Sequence, residues 1–166
     1  MFYNKVMEKI KTVFFDVDGV LSAPNYYDKN LGKCTIGFSD SVWLDFLEEN
    51  KEDSYKDCKV PTYIISFIND LITKGITLYV LSSVENELEA KAKTKFLNHN
   101  FKDIFKGYYY VRTDDQKIEF IKDFCKDNDM KLDECMLVDD TYMLLLKAHC
   151  AGIKAVHIAN ILADLI

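Results

Sequence analysis

Arginine is almost absent from this chain: Arg112 is the only one, and the remaining 20 basic residues are lysines. Nucleic-acid binders rely on basic patches, usually with arginine for bidentate contacts to phosphate and guanine. A formal net charge of −6 runs the same way, so nucleic acid is a disfavoured partner. Two prolines and six glycines in 166 residues exclude collagen-like and low-complexity classes. No apolar run approaches the ~20 residues of a membrane span. The opening stretch, MFYNKVMEKIK, is charged where a signal peptide needs an apolar core. These absences predict a soluble, cytoplasmic protein with no membrane partner. The five cysteines (Cys34, Cys58, Cys125, Cys135, Cys150) are scattered, odd in number and form no CxxC. They read as reduced thiols, mostly small core residues, rather than a disulfide frame or a zinc site.

What is present is a normal packed globule, 49% hydrophobic, of a length that suits one domain. Short apolar runs recur at residues 12–15, 76–81, 108–111, 135–138 and 153–158, several ending in a small or acidic residue. Continuous apolar runs without alternation suit strands buried on both faces. Helical spacing fills the gaps, over 63–73, 84–98, 141–151 and a segment capped by Asp114 or Asp115 and running to Phe124. On the helix over 84–98, Leu88, Ala92, Phe96 and Leu97 make the apolar side. Strands alternating with helices mean βαβ units, an α/β fold with a parallel sheet. One stretch, residues 22–61, breaks this rhythm. It holds one short helix over 40–49 and reads as an insertion after the first strand, too small for its own core, within a single domain of residues 1–166.

Asp16-Val17-Asp18-Gly19 follows the first apolar run. A bare Asp-x-Asp means little, because 18 aspartates supply roughly two such pairs by chance. Context separates this one from Asp127-Asn128-Asp129, which lies in a polar turn. An apolar strand delivers Asp16 and Asp18 to its carboxyl end, where ligands bind in open α/β sheets. A second acidic pair, Asp139-Asp140, ends another apolar strand and opens a helix. A cap requires one aspartate, and two at a buried strand end repel unless a cation sits between them. Carboxylates from two strand ends are hard oxygen ligands of the kind Mg²⁺ takes. Ser82-Ser83 follows the run at 76–81, placing a hydroxyl and a backbone N–H at the same edge. Lys117 sits in the first turn of a helix, where the dipole disfavours a cation unless an anion offsets it.

Together, in this order, these features resemble the haloacid dehalogenase (HAD) superfamily: DVDGVL first, LYVLSS second, a lysine about two-thirds along third and LVDD fourth, across residues 12–158. The resemblance implies a Rossmann-like parallel sheet flanked by helices and a phosphoaspartyl mechanism. Asp16 would be the nucleophile, and Asp18 the acid and base. Ser82, Ser83 and Lys117, or Lys122 in its place, would hold phosphate. Mg²⁺ would be held by Asp16, the backbone carbonyl of Asp18, and Asp140, with Asp139 beside them. Aspartate at position 18, rather than the alanine or threonine of other branches, implies phosphate-ester hydrolysis or phosphoryl transfer; the expected reading is hydrolysis of a phosphate monoester, with a phosphorylated small molecule as substrate. Residues 22–61 would be a reduced, cap-like lid. A small lid leaves the site open to large substrates or to completion by a neighbouring subunit of a homo-oligomer. Tyr26, Tyr27, Phe38 and Trp43 would either contact substrate or pin this insertion to the body. Alternatives are a phosphomutase or phosphotransferase, against which the short insertion argues, and a non-turnover phosphoacceptor signalling domain, which the Asp-x-Asp on the first strand disfavours.

Overall fold

The computed structural model describes residues 9–163, and the elements below are those of the described residues. The first half contains β1 (Thr12–Phe15), β2 (Tyr26–Asp28), β3 (Lys33–Thr35), α1 (Asp40–Asn50), α2 (Thr62–Thr73) and β4 (Thr77–Ser83). The second half contains α3 (Glu87–Asn100), β5 (Tyr108–Val111), α4 (Asp114–Asp127), β6 (Cys135–Asp139), α5 (Tyr142–Cys150), β7 (Lys154–His157) and α6 (Ile158–Ala163).

Every residue of β1 is buried. Side chains alternate across a strand, so Val13 and Phe15 enter one core layer and Phe14 the other. That is why the run is continuous: both faces are covered. The sheet is parallel throughout, in the order β5-β4-β1-β6-β7. Its first face carries α2, α3 and α6 through Ile64, Phe67, Leu71, Phe96, Leu97 and Ile161. The second carries α4 and α5 through Ile118, Ile121, Leu144 and Leu145. Phe14 anchors this second layer, stacking on Tyr79 at 5.5 Å and meeting Phe124 edge-on at 5.1 Å. The chain is thus an α/β, Rossmann-like parallel sheet between two helical layers, as its alternating pattern predicts.

Register decides what reaches the carboxyl edge. Phe15 pairs with Val80 of β4 and with Val138 of β6. The three central strands therefore bring Asp16, which follows β1, Ser82-Ser83, which end β4, and Asp139-Asp140, at the end of β6, to one edge.

Several boundaries differ from the pattern-based expectation, each for a local reason. β4 runs on through Ser82 and Ser83, because both pair with β5. The helix expected from residue 84 starts at Glu87, because the Asn86 side chain accepts the Glu89 N–H at 3.0 Å and caps it. Its Leu88 is only half-buried, and Glu89 and Lys93 take the inward positions. The cap of α4 is Thr113, not Asp114 or Asp115. Gln116 reaches back to accept the Thr113 N–H at 3.2 Å and the Arg112 N–H at 2.8 Å. Ile158, expected to end the last strand, opens α6 (Ile158–Ala163) instead.

Residues 22–61 leave and return at one point, where Ala23 and Lys59 form an antiparallel bridge. Between these ends lie the β2–β3 hairpin and α1. An aromatic cluster fastens them to the body: Tyr26, Phe38, Trp43 and Phe46 pack on one another, and Tyr55 links them to Phe96 of α3. Tyr26, Phe38 and Trp43 thus pin the insertion, whereas Tyr27 is exposed.

Candidate active site

β1 ends by placing Asp16 in the buried middle of the carboxyl edge, its N–H bonded to the Val138 carbonyl at 3.0 Å. The turn that follows folds tightly, with the Leu21 and Ser22 N–H groups both donating to the Val17 carbonyl. It holds Gly19 at a φ of +72°, a conformation that L side chains rarely adopt. A Cβ there would stand 2.0 Å from Asp140 Oδ2, so only glycine lets this turn approach β6 so closely.

β6 delivers Asp139, fully buried, and Asp140 at the exposed mouth. One oxygen from each of Asp16, Asp139 and Asp140 lies within 4.8 Å of the others. His157, ending β7, braces the group: its Nδ1 accepts the Ala159 N–H, leaving Nε2 to donate to the Asp140 carbonyl at 3.0 Å. Asp139 is itself engaged, Oδ1 accepting the Thr141 N–H at 2.8 Å and Oδ2 accepting from Lys117 at 2.9 Å.

The first turn of α4 brings Lys117 into this edge, 1% exposed, with Nζ 3.1 Å from Asp16 Oδ1 and 3.3 Å from Asp114 Oδ1. Lys122, by contrast, pairs with Glu119 on the surface. Burial works against the charge on Lys117, but Asp16 and Asp139 outweigh it and raise its pKa. Burial pushes the Asp16 carboxyl up to about 6; the Lys117 ammonium opposes this and Asp139 adds to it. The contact with Lys117 lacks hydrogen-bond geometry, so Asp16 Oδ1 is buried without a donor.

Asp18 faces a second cationic cluster that the sequence reading did not single out. Lys93 of α3, also 1% exposed, places Nζ 2.7 Å from Asp18 Oδ2 and 2.9 Å from Glu89 Oε1. The same ammonium donates to Ser82 Oγ at 3.1 Å and to the Ser83 carbonyl at 2.6 Å. Tyr55 donates to Asp18 Oδ1 at 2.9 Å. Burial raises the pKa of Tyr55, and the Asp18 charge raises it further. Ser83 Oγ donates to Asp114 at 3.0 Å. In the structure Glu89, Ala92, Lys93, Phe96 and Leu97 make one buried stripe, whereas by sequence a Glu–Lys pair four residues apart reads as a solvated one.

The structure therefore brings together Asp16, Asp18, Ser82, Ser83, Lys117, Asp139 and Asp140 at one sheet edge. The residues fit a divalent cation. Six carboxylates (Asp16, Asp18, Glu89, Asp114, Asp139, Asp140) face two ammonium groups, and Asp16, whose Oδ1 has no donor, belongs to the three-carboxylate group. Above them opens a cleft of about 290 Å³ lined by Asp18, Trp43, Ser83, Glu85, Arg112 and Asp114. A comparable cleft of about 310 Å³, behind Tyr55 and Phe96, holds none of these carboxylates.

No protein-family model matches the chain, and no curated protein matches it. Solved structures do. It is 19% identical to a haloacid dehalogenase-like family hydrolase from Streptococcus pneumoniae, over 89% of this chain and 84% of that one, at a TM-score of 0.55. A HAD family enzyme from Bacteroides thetaiotaomicron, solved with magnesium and inorganic phosphate, is 18% identical over 89% and 93% of the two chains, at 0.53. The cobalt-bound deoxy-D-mannose-octulosonate 8-phosphate phosphatase from Haemophilus influenzae is 18% identical over 92% and 70%, at 0.53. The fold is that of the haloacid dehalogenase-like hydrolases.

Two outcomes follow from this geometry. Gly19→Ala should push the Asp140 carboxylate away, lowering Mg²⁺ affinity by calorimetry ~10–100-fold, the scale for disturbing what orients a ligand. The left-handed backbone adds ~1–3 kcal/mol of destabilisation. Unchanged affinity would remove Asp140 from the cation site. The second outcome concerns the chelated protein. Asp16 holds a proton in the folded state up to about pH 6, whereas in the unfolded chain it has already lost it. Its contribution to stability therefore declines as pH rises from about 4 to 6. In urea titrations with chelator, Asp16→Asn should gain stability relative to the parent between these pH values, and a constant difference would contradict the assignment.

Proposed function

We propose that this chain is a divalent-cation-dependent phosphatase that hydrolyses a phosphate monoester on a small molecule through an aspartyl-phosphate on Asp16. The observation that carries this reading is the buried Asp16 carboxylate, held at the end of β1 by Lys117 among acidic partners, with one oxygen free of any donor. A carboxylate approaching an anionic phosphate is repelled unless cations offset the charge. Lys117 supplies one cation, and a Mg²⁺ ion held by Asp16, Asp140 and the Asp18 carbonyl, with Asp139 beside them, would supply the rest of that neutralisation.

In the first step an Asp16 oxygen forms a bond to phosphorus while the ester P–O bond breaks, and Asp18 gives its proton to the departing alkoxide. In the second, water attacks the aspartyl-phosphate and Asp18 takes its proton, releasing phosphate and restoring the Asp16 carboxylate. Ser82 and the backbone beside it would meet the phosphate oxygens from the β4 side. Residues 22–61 act as a small cap: Trp43 forms one wall of the cleft above Asp18, where the alcohol leaves. Asp18, inside the charged cluster rather than on the surface, favours turnover over a phosphoacceptor domain, which needs no second carboxylate at this position.

Hydrolysis of p-nitrophenyl phosphate should continue over many turnovers, stop with chelator and return with Mg²⁺. A single stoichiometric burst would identify a phosphoacceptor instead, and full activity in excess chelator would exclude the cation. Asp16→Asn should reduce turnover at least ~10³-fold, or ~4 kcal/mol at 1.36 kcal/mol per decade. Acid quench and mass spectrometry of the parent should find phosphate on Asp16, and phosphate on Ser82 would overturn the mechanism. Asp18→Asn should keep Mg²⁺ binding yet slow turnover ~10²–10⁴-fold, the scale of acid–base catalysis. Loss of Mg²⁺ binding would show that its side chain serves the cation.

A further inference from the structure

We propose that Lys93 is a positioning residue that, together with Tyr55, fixes the direction in which Asp18 presents its carboxylate to the leaving oxygen. This rests on the phosphatase reading above. Asp18 stands beyond the end of β1, in a turn and half-exposed, where nothing in its own element fixes its side-chain torsions. Both of its oxygens are instead held from elsewhere. Lys93 Nζ holds Oδ2 at 2.7 Å, and the Tyr55 hydroxyl holds Oδ1 at 2.9 Å, with the Tyr26 hydroxyl at 3.4 Å. One donor comes from α3 and the other two from the insertion, so rotation of the carboxylate breaks contacts on opposite sides.

Lys93 is fixed in turn. Its three protons face four acceptors: Asp18, Glu89, Ser82 Oγ and the Ser83 carbonyl. Glu89 is held by the Glu85 N–H at 2.8 Å, with the Trp43 indole N–H at 3.4 Å. A rigid line therefore runs from the backbone of the β4–α3 loop through Glu89 and Lys93 to Asp18. Stability alone gives no reason for it. Replacing a buried ion pair with apolar side chains of similar volume is often neutral or stabilising, and Phe96, Leu97 and Ala92 show that the same helix face packs well without charge. The two buried lysines divide the work, Lys117 touching Asp16 and Lys93 touching Asp18. Because Lys93 also touches Ser82 Oγ, its loss affects phosphate contact as well, but that effect is common to all esters. An effect through Asp18 depends on how much the leaving group needs a proton.

The test compares kcat/KM for p-nitrophenyl phosphate, whose leaving group needs little protonation, with that for phenyl phosphate, in the Mg²⁺-loaded enzyme. Because kcat/KM reports steps through phosphoryl transfer to the enzyme, the later base role of Asp18 does not enter. Lys93→Met leaves two carboxylates face to face, so the deciding variant is Lys93→Met/Glu89→Gln, which removes one charge of each sign. It should lose at least ~10-fold more on phenyl phosphate than on p-nitrophenyl phosphate, within the range of general acid catalysis, with unchanged Mg²⁺ affinity. Equal losses on both esters, or no loss on either, would overturn the proposal while leaving the phosphatase reading intact. Absence of turnover in the parent would instead overturn that reading. Should the double variant fail to fold, Tyr55→Phe decides, since it removes a single hydroxyl from the same carboxylate. It should show the same asymmetry at smaller size, and equal loss on the two esters overturns the proposal.

Discussion

The contact on which this structure depends is the buried ammonium of Lys117 between Asp16 and Asp139. The register that pairs β1 with β6 also forces the carboxylates at the ends of these two strands together. Two buried carboxylates at such spacing repel, and removing each from water costs several kcal/mol. Lys117 offsets part of this. It does so from the first turn of α4, where the helix dipole opposes a cation, which is tolerable only because Asp16, Asp114 and Asp139 all lie within 3.3 Å of it. The residual negative charge remains as a standing demand for a cation.

The remainder of the fold supports that edge. Burying β1 on both faces fixes its height in the sheet, because Phe14 and Phe15 are locked into different core layers and a one-residue slip would exchange them. Gly19 then lets the turn after Asp16 lie against Asp140, and His157 braces that residue from β7. Strand register, a glycine turn and a neighbouring side chain thus converge on three carboxylates, one oxygen of each lying within 4.8 Å of the others.

Much of this was legible in the sequence, and the reason is that strand and site share a signal. An apolar run ending in acid announces both a buried strand and the place where its ligands lie, so Asp16, Asp139 and Asp140 were found with β1 and β6. Lys117 became identifiable through order along the chain. Lys93 and Glu89 stayed hidden because their positions follow the periodicity of an ordinary amphipathic helix, and a Glu–Lys pair four residues apart is usually a solvated one. The burial of Glu89 and Lys93 beside a half-buried Leu88 shows that the inward stripe of α3 is rotated toward them. Tyr55 was hidden for a different reason: no local pattern distinguishes a tyrosine that packs from one that also donates to a carboxylate 37 residues away along the chain. The cap of α4 lies at Thr113 rather than at Asp114 or Asp115: aspartate has the stronger cap propensity, yet Gln116 closes the box on Thr113, freeing Asp114 for Lys117 and Ser83.

The insertion is best understood through those hidden residues. Its aromatic cluster fastens it to α3, yet Tyr26 and Tyr55 reach Asp18, and Trp43 reaches Glu89. A lid attached only by apolar packing can shift without disturbing the charges beneath it. Here the same rings carry hydroxyl and indole donors into the charged cluster, so displacement of the insertion strips donors from Asp18 and Glu89 together. Buried carboxylates stripped of donors are costly, which couples the resting place of the insertion to the state of the site. Tyr26, Trp43 and Tyr55 therefore serve two ends at once: their ring faces attach the segment, and their polar tips complete the electrostatic environment at the carboxyl edge of the sheet.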